Sequence, residues 1–457
     1  MATNSSVVRL TGLALAALIA GPAFVSAQGA GAPTILSATD DLVSLARTQQ
    51  KQQRWEEALQ TWLRVLAADR GNEEARASLA KCVRHALQTH RHRDPDFQAR
   101  ILAMPQADVL ALYDEVLRKI QIHYVDPGKV GVSRLFRQGM DEYLAALADP
   151  AFAEQYLRSA DAVAVAKFRG SVQKAWGGRD ESNVRQAVEV VAEVASASKR
   201  LLGLRSVNVV VLEFICGACN SLDEYSAYLP ANQLAAEDAN LSQSTVELNM
   251  QEGNVAYLRI LRFEVTTPQE VDAIVKNLTT MGMAKALVID LRGNAGGSFA
   301  AAVKTAERFL PAGIIVTAQG AQPDATKVYT SLAGPTATDL PAVLLVNGET
   351  ASAAEVFAVA LRENQRAKLV GTPTFGKGAL QNVVRFNTGE EPDDGAGKPK
   401  PRAGMRLTVA RLLSPNGNPI HGAGVSPDVT ERDPERQTSI AIEQARELAR
   451  RYSMMMP

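Results

Sequence analysis

From Asn254 onward the sequence alternates short apolar runs with stretches of helical period, and few folds accept that rhythm. Residues 255–260, 286–291, 314–318, 343–346 and 367–371 each read as buried strands, and residues 406–412 as a further one. Between the first two, Thr267-Pro268-Gln269-Glu270 has a capping-box pattern with proline at the first helical position. Val271, Ile274, Val275 and Leu278 then recur at i, i+3, i+4 and i+7. Residues 300–309 and the segment after Ser352 repeat the helical pattern, and residues 438–452 close the chain as a helix. The expected core is therefore α/β: a mixed, largely parallel sheet with helices, and a site at the carboxyl ends of its strands.

Residues 343–381 carry the chemistry. An apolar strand ends at the Asn347-Gly348 turn, and Ser352-Ala353-Ala354-Glu355 opens the next helix. A serine there sits on a rigid frame, beside the unpaired N–H groups of a helix's first turn. After the following strand the chain delivers Lys377 between two glycines, with Gln381 four residues later. Serine and lysine returned to one place by a strand–helix–strand unit suggest acyl transfer with a lysine base. Phe375, Gly376, Gly378, Ala379 and Leu380 surround the lysine in sequence, and burial in such company favours a neutral amine. Gly296-Gly297, at the end of an earlier strand, can aim a backbone N–H at little steric cost. His421 is a rival base for Ser352, and His123 reads as structural. Taken singly, Ser352 is compatible with a plain helix cap, Lys377 with a solvated loop and Gly296-Gly297 with an ordinary turn.

The rest of the chain is mostly helical. Arg9, an apolar run over residues 10–25 and Val25-Ser26-Ala27 form the pattern of a cleavable secretory signal over residues 1–27, so a secreted or periplasmic location is expected, with no membrane span after cleavage. A linker is expected over 28–38. Residues 39–100 read as helix, turn at 52–54, helix, turn at 69–72 and helix, which is either tetratricopeptide-like or a plain hairpin; either way it must pack on something. Lys81 to Arg93 is basic, with His85, His90 and His92 near Cys82, and is expected to be a solvated surface with a buried Cys82 rather than a metal site, since Arg84, Arg91 and Arg93 repel a cation. Residues 101–253 continue as helices. Cys216 and Cys219 are either a redox pair or two small buried residues on a helix. Lys plus Arg and Asp plus Glu both total 49, and without a basic stripe nucleic acid is not an expected partner.

Taken in order, Asp290-Leu291-Arg292-x-Asn294-x-Gly296-Gly297, Thr350-Ala351-Ser352-Ala353 with Glu355, and Phe375-Gly376-Lys377-Gly378 with Gln381 resemble the C-terminal processing peptidases, the tail-specific serine proteases. The resemblance covers about residues 254–429, with a weaker echo at 113–144 and at Leu222-Asp223-x-x-Ser226-x-Tyr228-Leu229. It implies an α/β protease core preceded by an all-α N-terminal region. Ser352 would be the nucleophile, Lys377 the general base and Gln381 the residue orienting the amine. The backbone N–H groups of Gly297 and Ala353 would form the oxyanion hole, with no metal and no organic cofactor. Substrates would be proteins or peptides.

One departure from the family's pattern stands out. Its members commonly carry a PDZ domain before the core, and only residues 231–253 occupy that place here, too few for one. The helical region is expected to take over docking of substrates or a protein partner. The alternative is a catalytically silent binding or scaffold protein on the same fold.

Overall fold

A computed structural model describes residues 35–69, 72–93, 99, 102–157, 161–179, 182–238, 244–332, 334, 336–388 and 403–455. The expected leader lies outside the described residues. The chain divides into two compact units, one holding residues 25–240 and 381–409, the other residues 241–380 and 410–457.

The first unit is helical. α1 (Ile35–Lys51), α2 (Trp55–Ala68) and α3 (Glu73–Arg93) are separated by the two anticipated turns, and α1 begins inside the stretch read as linker. The expectation of a solvated surface over residues 81–93 is corrected here. Gln88, Arg91 and His92 are buried, because α3 lies against two carboxylates far along the chain. The unit continues with α4 (Gln106–His123), α5 (Val132–Ala146), α6 (Pro150–Tyr156), α7 (Ala162–Trp176), α8 (Val184–Leu202) and α9 (Asn208–Asn220). Glu213 of α9, fully buried, takes Arg91 Nη2 at 2.9 Å, Gln88 Nε2 at 2.5 Å and His92 Nε2 at 3.0 Å. Glu142 of α5 takes Arg84 Nη2 at 2.6 Å. Burial alone would raise Glu213, but Arg91 and His92 hold its carboxyl down at about 2. This network seats the N-terminal helices on the rest of the unit. His85 instead stacks on Trp55, ring centroids 3.9 Å apart.

α9 is buried from Asn208 to Cys219, since α4, α5 and α8 all pack on it. A Cβ on Gly217 would lie 2.4 Å from the Gln138 carbonyl, so glycine is what lets α5 and α9 cross this closely. Cys216 and Cys219 are buried free thiols within that packing. β1 (Ala227–Pro230) pairs antiparallel with residues 403–406, and α10 (Ala231–Asp238) follows it.

The second unit is the α/β core. Its main sheet contains β2 (Val246–Gln251), β3 (Val255–Ile260) and β4 (Ala286–Asp290), and then, past β5 (Gly313–Gln319) and β6 (Lys327–Ser331), β7 (Ala342–Val346) and β8 (Ala367–Gly371). After β9 (Ala379–Arg385) and β10 (Ala403–Leu413), β11 (Val429–Thr430) completes it. The order is β11-β8-β7-β4-β3-β2, parallel throughout except for β2, which runs antiparallel on β3 at the edge. β2 falls in the stretch expected to be helical. It is an edge strand with most of its side chains exposed, so its apolar pattern is weak and its place comes from pairing with β3.

β4 and β7 are buried at every position because both faces of the sheet are covered. Leu287, Ile289, Leu344 and Val346 face α11 (Thr267–Thr280), α12 (Phe299–Glu307) and α13 (Ala353–Glu363). Val288, Val343 and Leu345 face α14 (Pro434–Met455), whose Ala441, Ala445 and Ala449 recur every four residues and let it lie close. β5 pairs antiparallel with β6 and with residues 411–413 in a smaller layer.

Candidate active site

Ser352 stands where β7 hands over to α13. The turn before it is held from both sides. Thr350, fully buried, donates its hydroxyl to the Leu291 carbonyl at 2.9 Å, and its own carbonyl takes the Phe375 N–H at 3.0 Å. Ser352 itself has φ 56°, a left-handed conformation uncommon outside glycine. Bonds on either side keep it there: the Ala351 N–H donates to the Asn294 carbonyl at 3.0 Å and the Ser352 N–H to Glu355 Oε2 at 2.8 Å.

Glu355, wholly buried, joins the parts of the site. Its Oε2 also takes the Lys377 N–H at 2.8 Å, while Oε1 takes the Gly376 N–H at 2.7 Å and the Thr374 hydroxyl at 2.5 Å. Burial pushes this carboxyl above the usual range, and the bonds from Thr374, Gly376, Ser352 and Lys377 pull it part of the way back. Sequence reasoning gave Glu355 no role. The signal was there, because a glutamate three residues after a serine at a helix start has capping-box spacing.

Lys377 is 6 % exposed. Its two glycine neighbours admit another stretch of backbone. A Cβ on Gly378 would lie 2.2 Å from the His421 nitrogen and one on Gly376, at φ 95°, would lie 3.0 Å from the Gly424 nitrogen. The Gly422 N–H closes this contact on the Gly376 carbonyl at 2.8 Å.

Gly296 and Gly297 have φ 110° and 118°. A Cβ on Gly297 would lie 2.2 Å from the Phe263 carbonyl oxygen; one on Gly296 would lie 2.9 Å from Ser352 Cβ and 3.1 Å from the Ala353 nitrogen. The glycine pair therefore rests directly on the serine turn. Gly296 donates its N–H to Asn294 Oδ1 at 2.9 Å and Ser298 donates to the Phe263 carbonyl at 2.7 Å. Between them, the Gly297 N–H carries no hydrogen bond among the described residues. The same holds for the Ala353 N–H, flanked by the Ser352 N–H spent on Glu355 and the Ala354 N–H spent on the Ala351 carbonyl at 3.1 Å.

Ser352, Ala353, Gly297 and Lys377 thus belong to one hydrogen-bonded assembly in the second unit. Gln381 belongs to the first unit, where its Nε2 donates to the Tyr225 carbonyl at 2.6 Å. That carbonyl is presented by a turn in which Asp223 Oδ1 takes the N–H groups of Tyr225 at 2.9 Å and Ser226 at 2.6 Å. The acceptor of the Gln381 side chain is its Oε1.

Residues 254–431 match the family described as peptidase family S41. The chain carries a peptidase family S41 domain. It is 32% identical over 186 residues to the carboxy-terminal-processing protease of Bartonella bacilliformis, covering 40% of this chain and 40% of that protein. It is 36% identical over 181 residues to the carboxyl-terminal-processing protease of Synechocystis sp., covering 40% and 39%. The carboxy-terminal processing protease of Bacillus subtilis is 34% identical over 191 residues, 42% of this chain and 38% of that one. These matches span about 40% of this chain and about 40% of these relatives' length. The solved photosystem II D1 C-terminal processing protease superposes with a TM-score of 0.46 at 19% identity, over 73% of this chain and 94% of that one.

Proposed function

We propose that this chain is a secreted or periplasmic serine endopeptidase that cleaves protein substrates through a Ser352–Lys377 dyad. One observation carries the reading: a single oxygen of Glu355 accepts the backbone N–H of both Ser352 and Lys377, so the two main chains meet within two hydrogen-bond lengths. Unspent N–H groups at Gly297 and Ala353 give it further support.

In this mechanism the neutral Lys377 amine removes the hydroxyl proton of Ser352 as Oγ attacks the scissile carbonyl carbon. The oxyanion that forms is held by the N–H groups of Gly297 and Ala353, and each such donor is worth about 3–4 kcal/mol in the transition state. Collapse breaks the C–N bond, and the leaving amine takes the proton back from Lys377. Water then attacks the ester, giving up its proton to Lys377, and the acid product departs as Ser352 is restored. By the family resemblance, Gln381 is assigned the part of orienting the lysine amine. Docking of substrates or a protein partner is assigned to the region spanning residues 39–206.

A serine-directed fluorophosphonate tests the reading. Labelling of the wild type, lost in both Ser352→Ala and Lys377→Ala and kept in His421→Ala, is the expected result. Labelling that survives Lys377→Ala and fails with His421→Ala reassigns the base. A folded wild type that neither labels nor cleaves a casein-type substrate points to the silent scaffold instead.

A further inference from the structure

We propose that Asn294 is a positioning residue that sets the spacing of the two oxyanion donors. This rests on the Ser–Lys reading above and assigns a role to a side chain that the mechanism leaves unused.

Asn294 is fully buried, yet every polar group it has is engaged. Its Nδ2 donates to the Ile260 carbonyl at the end of β3 at 2.9 Å, and its Oδ1 takes the Gly296 N–H at 2.9 Å. Its backbone N–H donates to the Leu291 carbonyl after β4 at 3.1 Å, and its carbonyl takes the Ala351 N–H after β7 at 3.0 Å. One asparagine thus ties together the ends of three adjacent strands. Those are the ends from which the glycine loop and the serine turn emerge.

The consequence for the donors is specific. Gly296 is the contact between the two halves, since it abuts both Ser352 Cβ and the Ala353 nitrogen. Fixing the Gly296 N–H on Oδ1 sets the peptide that precedes the Gly297 N–H. Holding the Ala351 N–H sets the turn that precedes the Ala353 N–H. An aspartate would keep the acceptor but set a carboxylate oxygen against the Ile260 carbonyl, and a leucine would fill the space with neither bond. Asparagine supplies the acceptor and the donor on two separate atoms, which a threonine hydroxyl of similar size cannot.

A positioning role differs from a merely structural one in what it moves. Oxyanion donors act on the tetrahedral state and not on the bound ground state, so their displacement lowers kcat and leaves KM nearly unchanged. The test uses Asn294→Ala and the near-isosteric Asn294→Leu in the full chain, each checked for a cooperative thermal melt. It measures kcat and KM on a peptide substrate, the affinity for a peptide boronate, and the affinity for the matching substrate on a Ser352→Ala background.

Loss of one oxyanion donor typically lowers kcat by about 10²–10³-fold. A kcat loss of about 10²-fold is expected in whichever variant folds, matched by an equal loss of boronate affinity, with substrate affinity held. A folded variant with wild-type kcat and boronate affinity overturns the proposal, as does a variant whose substrate and boronate affinities fall together. Failure of both variants to fold overturns it as well, because Asn294 would then be a determinant of the fold. An inactive wild type would bring down the Ser–Lys reading itself, which the fluorophosphonate experiment detects separately.

Discussion

Ser352 and Lys377 share one acceptor: both backbone N–H groups end on Oε2 of Glu355, each at 2.8 Å. The two residues lie on separate segments, and neither helix geometry nor strand pairing alone would bring them to one point. The buried carboxylate does so. It takes four donors in all, and a carboxylate has acceptor sites for all four, whereas a carboxamide would turn an N–H₂ group toward two of them.

Glu355→Gln should therefore fold and lose activity. Misplacing a catalytic group by about 1 Å can cost about 10²-fold, and a kcat loss of that order is expected with the thermal melt still cooperative. Steady-state kinetics check it, and wild-type kcat in a folded Glu355→Gln protein would refute the role.

The same carboxyl sets opposite pH trends for stability and activity. Its folded pKa is raised above the ordinary 4.5 by burial, so its stabilising contribution is full below that value and is lost as pH rises through the folded pKa. Its work as a four-donor acceptor needs the ionised form, so kcat should rise over that same interval. The difference in urea midpoint between wild type and Glu355→Gln, followed against pH, should fall as kcat climbs. Parallel curves would exclude Glu355 as the group responsible.

Arg292 clamps the C-terminal helix to the end of β4. Its Nε and Nη2 bond Asp290 at 2.9 Å each, Nη2 also reaches Thr438 Oγ1 at 3.0 Å, and Nη1 reaches the Pro434 carbonyl at 2.8 Å. Arg292→Ala leaves Asp290 buried without its cation, a change that costs about 3 kcal/mol or more. Denaturant titration should register that loss, and amide hydrogen exchange should speed up over residues 434–441. Unchanged exchange there would show that α14 holds its place without the clamp.

Glu213→Ala should destabilise the first unit by about 3–5 kcal/mol, because among the described residues Arg91 is left buried with Glu142, 3.8 Å away, as its remaining carboxylate. Replacing Arg91 and Glu213 together by Met and Leu should recover most of that loss. Urea melts of the single and double variants test this, and equal losses would rule out charge burial as the cause.

What the sequence discloses follows how local each contact is. β4 and β7 are legible as apolar runs because both faces of the sheet are covered, and the serine turn is legible because strand, turn and cap are consecutive. Arg91 and His92 are misread as solvated because their partner Glu213 lies 122 residues beyond Arg91, and no periodicity links the two. Glu355 shows its capping-box spacing but not its bonds to Thr374, Gly376 and Lys377, which come from a loop some twenty residues on. Asn294 is visible as a position in the strand-end motif, but its role is not, since its partners are backbone atoms that only the folded sheet brings together.

The left-handed backbone at Ser352, φ 56°, also restricts how this scaffold can diverge. A side chain branched at Cβ is a true outlier at positive φ, so threonine is closed as a replacement nucleophile even though it carries the same hydroxyl. Cysteine is unbranched at Cβ and fits the same torsion. A lineage descending from this sequence can thus exchange oxygen for sulfur in one step, while the route to an N-terminal-type threonine hydrolase would require rebuilding the turn first.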